Sequence, residues 1–297
     1  MREVVAMWRN AQMVAITVVI AALYMTALIP SSGLVIVPGF TTVRPATALP
    51  IVFSLIVGPA AAWGAAFGNL LSDAFSGQLT SGSVFGFVGN FFLGFAAYKL
   101  WGNLGPLSSG EEPDMRSPHQ LLEYLVAAFV AAAGTAAIIA WGLDVLGLFA
   151  FSVFATVITV NDFVAAAFLG PPILYLVYPR VARAGFRYTD IMDRGHLPRR
   201  SRRHQRLAAF GIATVTVTWL VVGVAFDVVV EGVAFGEIPT GPNAATGGSL
   251  VQAVLGTVAF VALCGLAAMA GEHLSSLCEE RSRWAERHDA GGEGLEL

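Results

Sequence analysis

The sequence predicts an all-α polytopic membrane protein, with a six-helix part followed by two additional C-terminal transmembrane helices. Three observations carry that prediction. Of the 297 residues, 56% are hydrophobic and only 12% charged, about half the charged share of a soluble domain, and mean hydropathy is +0.70. No Asp, Glu, Lys or Arg falls between Arg9 and Arg44, between Arg206 and Asp227, or between Glu237 and Glu272. Gaps of that length, filled with Ala, Val, Leu, Ile and Phe, read as transmembrane helices. The basic residues, finally, gather in a few short stretches between the apolar runs. This composition excludes soluble enzymes, nucleic-acid-binding proteins and secreted disulfide scaffolds. Cys264 and Cys278 stand at neither metal-ligand nor redox spacing. The first apolar run is longer than a signal-peptide core, and no small-residue cleavage site follows it.

In chain order, the first helix is expected over about Ala11–Ile29, followed by a loop over Pro30–Pro45. A compact pair comes next: Ala46–Val57, a break at Gly58-Pro59, then Ala60–Phe75. The first of that pair is too short for a perpendicular span, so it is either tilted or begins inside the preceding loop. A fourth helix covers Ser83–Trp101, and Gly102–Pro118, with Glu111, Glu112, Asp114 and Arg116, reads as a polar loop. Gln120–Trp141 is the fifth helix and Asn161–Tyr178 the sixth. Leu146–Val160 between them is apolar, aromatic and β-branched, and reads as a helix extension or a membrane-embedded loop. Leu207–Phe226 and Leu250–Gly271 complete eight spans. The chain thus divides into a membrane domain over 1–179, a basic loop over 180–206, a two-helix appendage over 207–271 and a charged tail over 272–297.

Orientation follows from the positive-inside rule. With a cytoplasmic N-terminus, the spans put Arg2, Arg9, Lys99, Arg116, the block Arg180–Arg206, and Arg281, Arg283 and Arg287 inside, together with the C-terminus. Of the 17 basic residues only Arg44 falls outside, where the loops instead carry Asp144, Asp227, Glu231 and Glu237. The basic loop has two readings. It is a topology anchor on anionic lipid headgroups, each base worth on the order of 1 kcal/mol, or it is a docking site for a cytoplasmic partner.

An ionisable group at membrane depth costs a few kcal/mol, so it normally faces a cavity, a partner or a substrate. Arg44 ends the first outer loop in TTVRPATALP, and Asn69 and Asp73 lie four apart in GNLLSD, on one face of the third helix. Asn90 lies about two turns into the fourth helix, and Asn161 and Asp162 open the sixth. Threaded through the topology, these six converge on the outer half of the six-helix part. Purely structural explanations stand beside the functional one. Asp73 can pair with Arg44, Asn161-Asp162 can cap a helix, and Asn90 can hydrogen-bond between helices. Unrelated caps have no reason to gather at one depth, which favours function for the group. Around them stand Trp63, Phe67, Phe85, Phe87, Phe91, Phe92 and Trp141. An aromatic-walled pocket with amide and carboxylate groups suits a flat small molecule with polar edges. Ala11 and Ala15 put two small residues on one face of the first helix.

Catalytic chemistry is missing. None of His119, His196, His204, His273 and His288 falls in the apolar part of a span, so intramembrane haem or metal ligation is unsupported. HExxH, Walker A and G-x-S-x-G patterns are absent. No cofactor is expected, and the chain reads as a non-enzyme.

The stretch VRPATALPIVFSLIVGPAAAWGAAFGNLLSDAFSG (Val43–Gly77), continuing as GSVFGFVGNFFLGFAAYKLW, resembles the substrate-binding S components of energy-coupling-factor (ECF) transporters, most nearly the QueT-like branch of queuosine-precursor transporters. The resemblance covers about Ala11–Tyr178 and is specific over Val43–Trp101; the last two helices and the charged tail depart from it. It implies a six-helix bundle with an Arg-led motif opening helix two. It also implies a vitamin or related micronutrient bound near the outer face, under a lid made by the first loop. Its implied partners are a transmembrane T component and two cytoplasmic ATP-binding-cassette ATPases, met through small residues of helix one, where Ala11 and Ala15 match. The expected function is therefore binding of a small molecule, a vitamin or nucleobase-like compound, for ATP-driven uptake across the cell membrane, with membrane lipid around the protein and no nucleic acid as partner. A scaffold recruiting cytoplasmic proteins through the basic loop, and a solitary secondary transporter, are the alternatives.

Overall fold

The computed structural model describes residues 2–31, 35–37, 41–42, 44–192, 201–233 and 247–271. Residues 32–34, 38–40, 43, 193–200 of the basic loop, 234–246 and the charged tail over 272–297 lie outside the described residues. The helices are α1 (Arg2–Ala6), α2 (Ala11–Ser31), α3 (Ala48–Val57), α4 (Pro59–Phe75), α5 (Gly82–Leu100), α6 (Pro118–Val145), α7 (Phe151–Arg183), α8 (Tyr188–Ile191), α9 (Arg202–Val229) and α10 (Leu250–Met269). A small antiparallel hairpin of β1 (Val35–Val37) and β2 (Thr41–Thr42) lies in the connection from α2 to α3. Six of the helical stretches are long and apolar enough to cross a membrane. Apart from that hairpin the described residues form helices and their connections, and the chain is a polytopic helical membrane protein, as its composition predicts.

Within the eight expected spans α3 is too short to cross upright, as its sequence predicts, and α4 is short as well. Their 10 and 17 residues rise about 15 and 25 Å, against a hydrocarbon core of about 30 Å. The chain reaches α3 through a single 3₁₀ turn over Pro45–Thr47 and leaves it at Gly58, whose φ is +53°. Pro59 then opens α4, where its missing N–H costs nothing. A side chain at Gly58 would lie 2.9 Å from the ring of Tyr188, so the break is filled from outside by α8. The start of the basic loop is therefore folded structure: Tyr188 is 1% exposed, and Asn10 donates to the Ile191 carbonyl at 3.1 Å.

Two further boundaries differ from expectation. α6 starts at a capping box, in which Ser117 and Gln120 satisfy each other's backbone N–H groups, and it runs on past Trp141 to Val145. α7 begins at Phe151, ten residues before Asn161. Asn161 and Asp162 are therefore mid-helix residues and cap nothing. The aromatic, β-branched stretch is a helix extension because its first N–H groups find acceptors. Phe151 donates to Asp144 and Ser152 to Asp227. Both aspartates, expected as outer-loop acids, sit in the last turns of α6 and α9 and are fully buried.

Packing follows the small residues. α4 lies between α2 and α5, and α6 between α5 and α7, while the short α3 wedges among α4, α5 and α7. Ala60, Ala61, Ala62, Ala65 and Ala66 of α4 are fully buried, and such side chains let helix axes approach closely. α9 and α10 pack on one another and against α6, and α9 also touches α7. Because α3 stops short, its first residues stand part-way down the bundle. A space is left above them, between the C-terminal ends of α2, α4 and α6 and the N-terminal halves of α5 and α7.

Candidate functional site

That space is a cavity of about 250 Å³, near the lower bound of small-molecule sites. Arg44, Asn69, Asp73, Asn90, Asn161 and Asp162 all line it. The fold explains how six residues spread over 119 positions meet. The 3₁₀ turn buries Thr47 in the bundle and holds Arg44 at its start, on the rim of the cavity, the last turns of α4 present Asn69 and Asp73, and α5 presents Asn90. α7 contributes Asn161 and Asp162 three turns below its start, together with Phe154, Val157 and Ile158.

The polar groups are ordered by one another. Tyr24, 1% exposed on α2, donates its hydroxyl to Asn90 Oδ1 at 2.7 Å, and Asn90 Nδ2 donates to the Gly86 carbonyl at 2.9 Å. The interhelical role open to Asn90 is thus realised, and the residue lines the cavity as well. Gly86 is fixed by close approach: a Cβ there would sit 2.8 Å from Asn69 Nδ2. Thr47 donates to the Arg44 carbonyl at 2.8 Å and also stands within hydrogen-bonding reach of Asp162. One hydroxyl proton cannot serve both acceptors at once. Arg44, Asp73 and Asp162 all act electrostatically on the Tyr24 hydroxyl, so one guanidinium and two carboxylates share this end of the bundle.

The alternative in which Arg44 merely pairs with Asp73 is not what the structure contains. The ion pairs among the described residues are Glu3–Lys99, Asp114–Arg116, and Arg187 with Glu112 and Asp190. None reaches the cavity. Arg44 is exposed, Asp73 half-buried, and Asp162 5% exposed.

The aromatic wall is a correction. None of Trp63, Phe67, Phe85, Phe87, Phe91, Phe92 and Trp141 lines the cavity, whose aromatic residues are Tyr24 and Phe154. Trp63, Phe67, Phe87 and Phe91 instead cluster with Trp8, with ring centroids 4.8–6.3 Å apart. Helical geometry is the reason: Phe67 stands two residues from Asn69, about 200° around α4, so the two side chains leave on opposite faces. Phe85 and Trp141 pack on each other, and Trp141 stacks on Phe260 of α10. Sequence reasoning also passed over Tyr24, Thr47, Gln78, Thr80, Ser83 and Thr135, which line the cavity. Tyr24 carried a usable signal as a polar aromatic deep in a charge-free run. The hydroxyls carried little, because Ser and Thr are common in transmembrane helices.

The opposite end is closed. Glu3 and Lys99, both fully buried, form an ion pair that ties α1 to the last turn of α5. Lys99 also lies 3.5 Å from the Ala270 carbonyl beyond α10. Glu123 accepts from Gly102 N, Ser109 N and Ser109 Oγ at 2.7–2.8 Å, so the expected polar loop is a firmly held turn. Ala11 and Ala15 stand on the exposed side of α2. Among the described residues, no group of His, Cys, Asp and Glu is arranged to hold a metal ion.

Comparison with known proteins gives one finding. The family model described as QueT transporter matches residues 14–179, from the first turn of α2 to the end of the transmembrane part of α7. No curated protein and no solved structure matches the chain. A match over more than half of the chain, on the helices that build the cavity, places it: the protein belongs to the QueT transporter family of ECF S components, membrane transport proteins for a small substrate.

Proposed function

We propose that the cavity is the substrate site and that Arg44, Asn69, Asp73, Asn90, Asn161 and Asp162 bind a small micronutrient, a vitamin or nucleobase-like compound. The observation that carries this reading is the meeting of three asparagine amides, two carboxylates and one guanidinium around a single cavity, with no ion pair among those charges within 4.0 Å. Burying polar groups that do not satisfy one another is costly, and a ligand with donors and acceptors on its edge repays that cost. Two carboxylates against one guanidinium favour a ligand with several N–H donors or a positive charge. Arg44 supplies the donor for a carbonyl or carboxylate.

The cavity opens to the outside, and both termini are cytoplasmic. Arg180, Arg183, Arg203 and Arg206 support this, since they stand at the ends of α7 and α9 away from the cavity. Uptake across the cell membrane is driven by ATP hydrolysis in separate subunits, a T component and its ATPases, which meet the exposed Ala11 and Ala15 face of α2. Residues 1–179 form the substrate-binding domain, 180–206 a basic cytoplasmic loop against membrane lipid, 207–271 an appendage and 272–297 a cytoplasmic tail. The end of the family match at residue 179 supports that division.

The test is purification of the full chain from cells grown in rich medium, with mass spectrometry of whatever is released on denaturation. A stoichiometric heteroaromatic compound, with a T component and ATPases among the co-purifying proteins, is the expected result. A protein empty under every growth condition, accompanied by other cytoplasmic proteins, overturns the reading in favour of a scaffold.

A further inference from the structure

α9 and α10 lie outside the family match, yet they are joined to the wall of the cavity through buried charge. α7 begins without a cap of its own: Ala150 precedes it and offers no side-chain acceptor. Its first two N–H groups are orphan donors of a helix start, and both are satisfied by carboxylates from other helices. Asp144, in the last turn of α6, accepts from Phe151 N at 3.1 Å with one oxygen. With the other it accepts from Gly248 N and Ser249 N, at 3.2 and 3.3 Å, where α10 starts. Asp227, in the last turn of α9, accepts from Ser152 N at 2.7 Å. Its second oxygen accepts from Gln252 Nε2 of α10, which also donates to the Gly223 carbonyl of α9 at 2.8 Å.

Asp144, Asp227 and Gln252 are all 0% exposed, and no ion pair among the described residues involves either aspartate. Two carboxylates buried without a cation are held there by backbone donors and by the positive end of α7. Helices that only filled lipid-facing space would need no such attachment. The helix so capped is the one that carries Phe154, Val157, Ile158, Asn161 and Asp162 into the cavity, between one and three turns from the capped end.

We propose that Asp227 and Asp144 are positioning residues of the site: through them α9–α10 act as a clasp that fixes the N-terminal half of α7, and with it the Asn161–Asp162 wall. The clasp rests on the reading of the cavity as the substrate site for its functional meaning, but its test needs no ligand. In the full-length chain with Cys264→Ser and Cys278→Ser, one cysteine reporter is placed at Val157 on α7 and another, separately, at Ser83 on α5. Both positions line the cavity. Reaction with a small methanethiosulfonate is timed in detergent, beside hydrogen exchange of the 151–162 segment. Asp227→Ala leaves the Ser152 N–H unpaired and should raise labelling at 157 and exchange in 151–162 by about ten-fold, as local opening does, while labelling at 83 stays within two-fold or so. Asp227→Asn keeps an acceptor for Ser152 and should return most of the original rate. Asp144→Ala, which leaves the Phe151 N–H unpaired, serves as the second variant if Asp227→Ala does not fold, and should raise labelling at 157 in the same way. Equal changes at 157 and 83, no change at either, or failure of Asp227→Asn to rescue would overturn the clasp. If the cavity bound no substrate, these rates would be unaffected, so the two failures are distinguishable.

Discussion

The closed end of the bundle and the cavity treat their ionisable groups in opposite ways. At the closed end Glu3 meets Lys99, Glu123 meets two N–H groups and a hydroxyl, and Arg187 meets Glu112 and Asp190. At the cavity end Arg44, Asp73 and Asp162 stand near one another without forming an ion pair within 4.0 Å. The same chemistry therefore does two jobs. Where charges satisfy each other they hold helices together, and where they line a void they remain available to something else.

The largest effect that would break this contrast lies at the closed end. Lys99→Ala removes the ammonium from beside the buried Glu3 carboxylate and should cost about 3–5 kcal/mol of stability, read as a fall in the thermal unfolding midpoint in detergent. Lys99→Met with Glu3→Leu should recover most of it, because the pair is then removed as a unit. A double-mutant cycle sharpens the comparison. Glu3 and Lys99 should be strongly coupled in stability, whereas Arg44→Gln and Asp73→Asn should be additive to within about 0.5 kcal/mol. Strong coupling of the second pair would show that the cavity charges also serve as a structural tie.

The cavity residues were legible in the sequence because ionisable and amide groups inside apolar runs are few, and the helix count brings them to one depth. Their partners were not. Glu3 and Lys99 are 96 positions apart, and no local pattern links them. Asp144 and Asp227 looked like loop acids because each follows a long apolar run, yet each is drawn into the protein by a helix start that lacks its own cap. The aromatic wall failed for a related reason: depth can be counted along a sequence, but which face a residue occupies depends on which neighbour the helix meets. The resemblance to S components gave the bundle over about Ala11–Tyr178, which the family match over residues 14–179 bears out, and nothing about the two helices beyond it.

A smaller effect is expected at Gly86→Ala. The new methyl would crowd the Asn69 amide at 2.8 Å, so ligand binding should weaken several-fold in a titration with the co-purified compound, with little change in thermal midpoint. The reverse pattern would assign Asn69 to the fold rather than to the site. The smallest effect concerns acid. Burial pushes the Glu3 carboxyl upward, but the charge and hydrogen bond of Lys99, together with further positive charge and a backbone hydrogen bond, more than offset this and hold it below the usual carboxylate value. A lowered folded-state value contributes stability that is present above the ordinary carboxylate range and lost as pH falls through it. The difference in melting between the parent protein and Glu3→Gln should therefore be flat from about pH 8 to 5 and shrink only below about pH 4. Shrinkage near neutral pH would mean that the tie is not ionic.

The central claim is that the unpaired charges face a ligand, and retention of the co-purified molecule tests it most directly. Parent protein and the double variant Arg44→Gln, Asp162→Asn are purified side by side from the same rich medium and compared by native mass spectrometry, with circular dichroism showing equal helix content. The account predicts a bound small molecule on the parent, and loss of roughly ten- to a hundred-fold in affinity or more in the variant, the range for removing charge-assisted hydrogen bonds. Equal occupancy of the two proteins would contradict it.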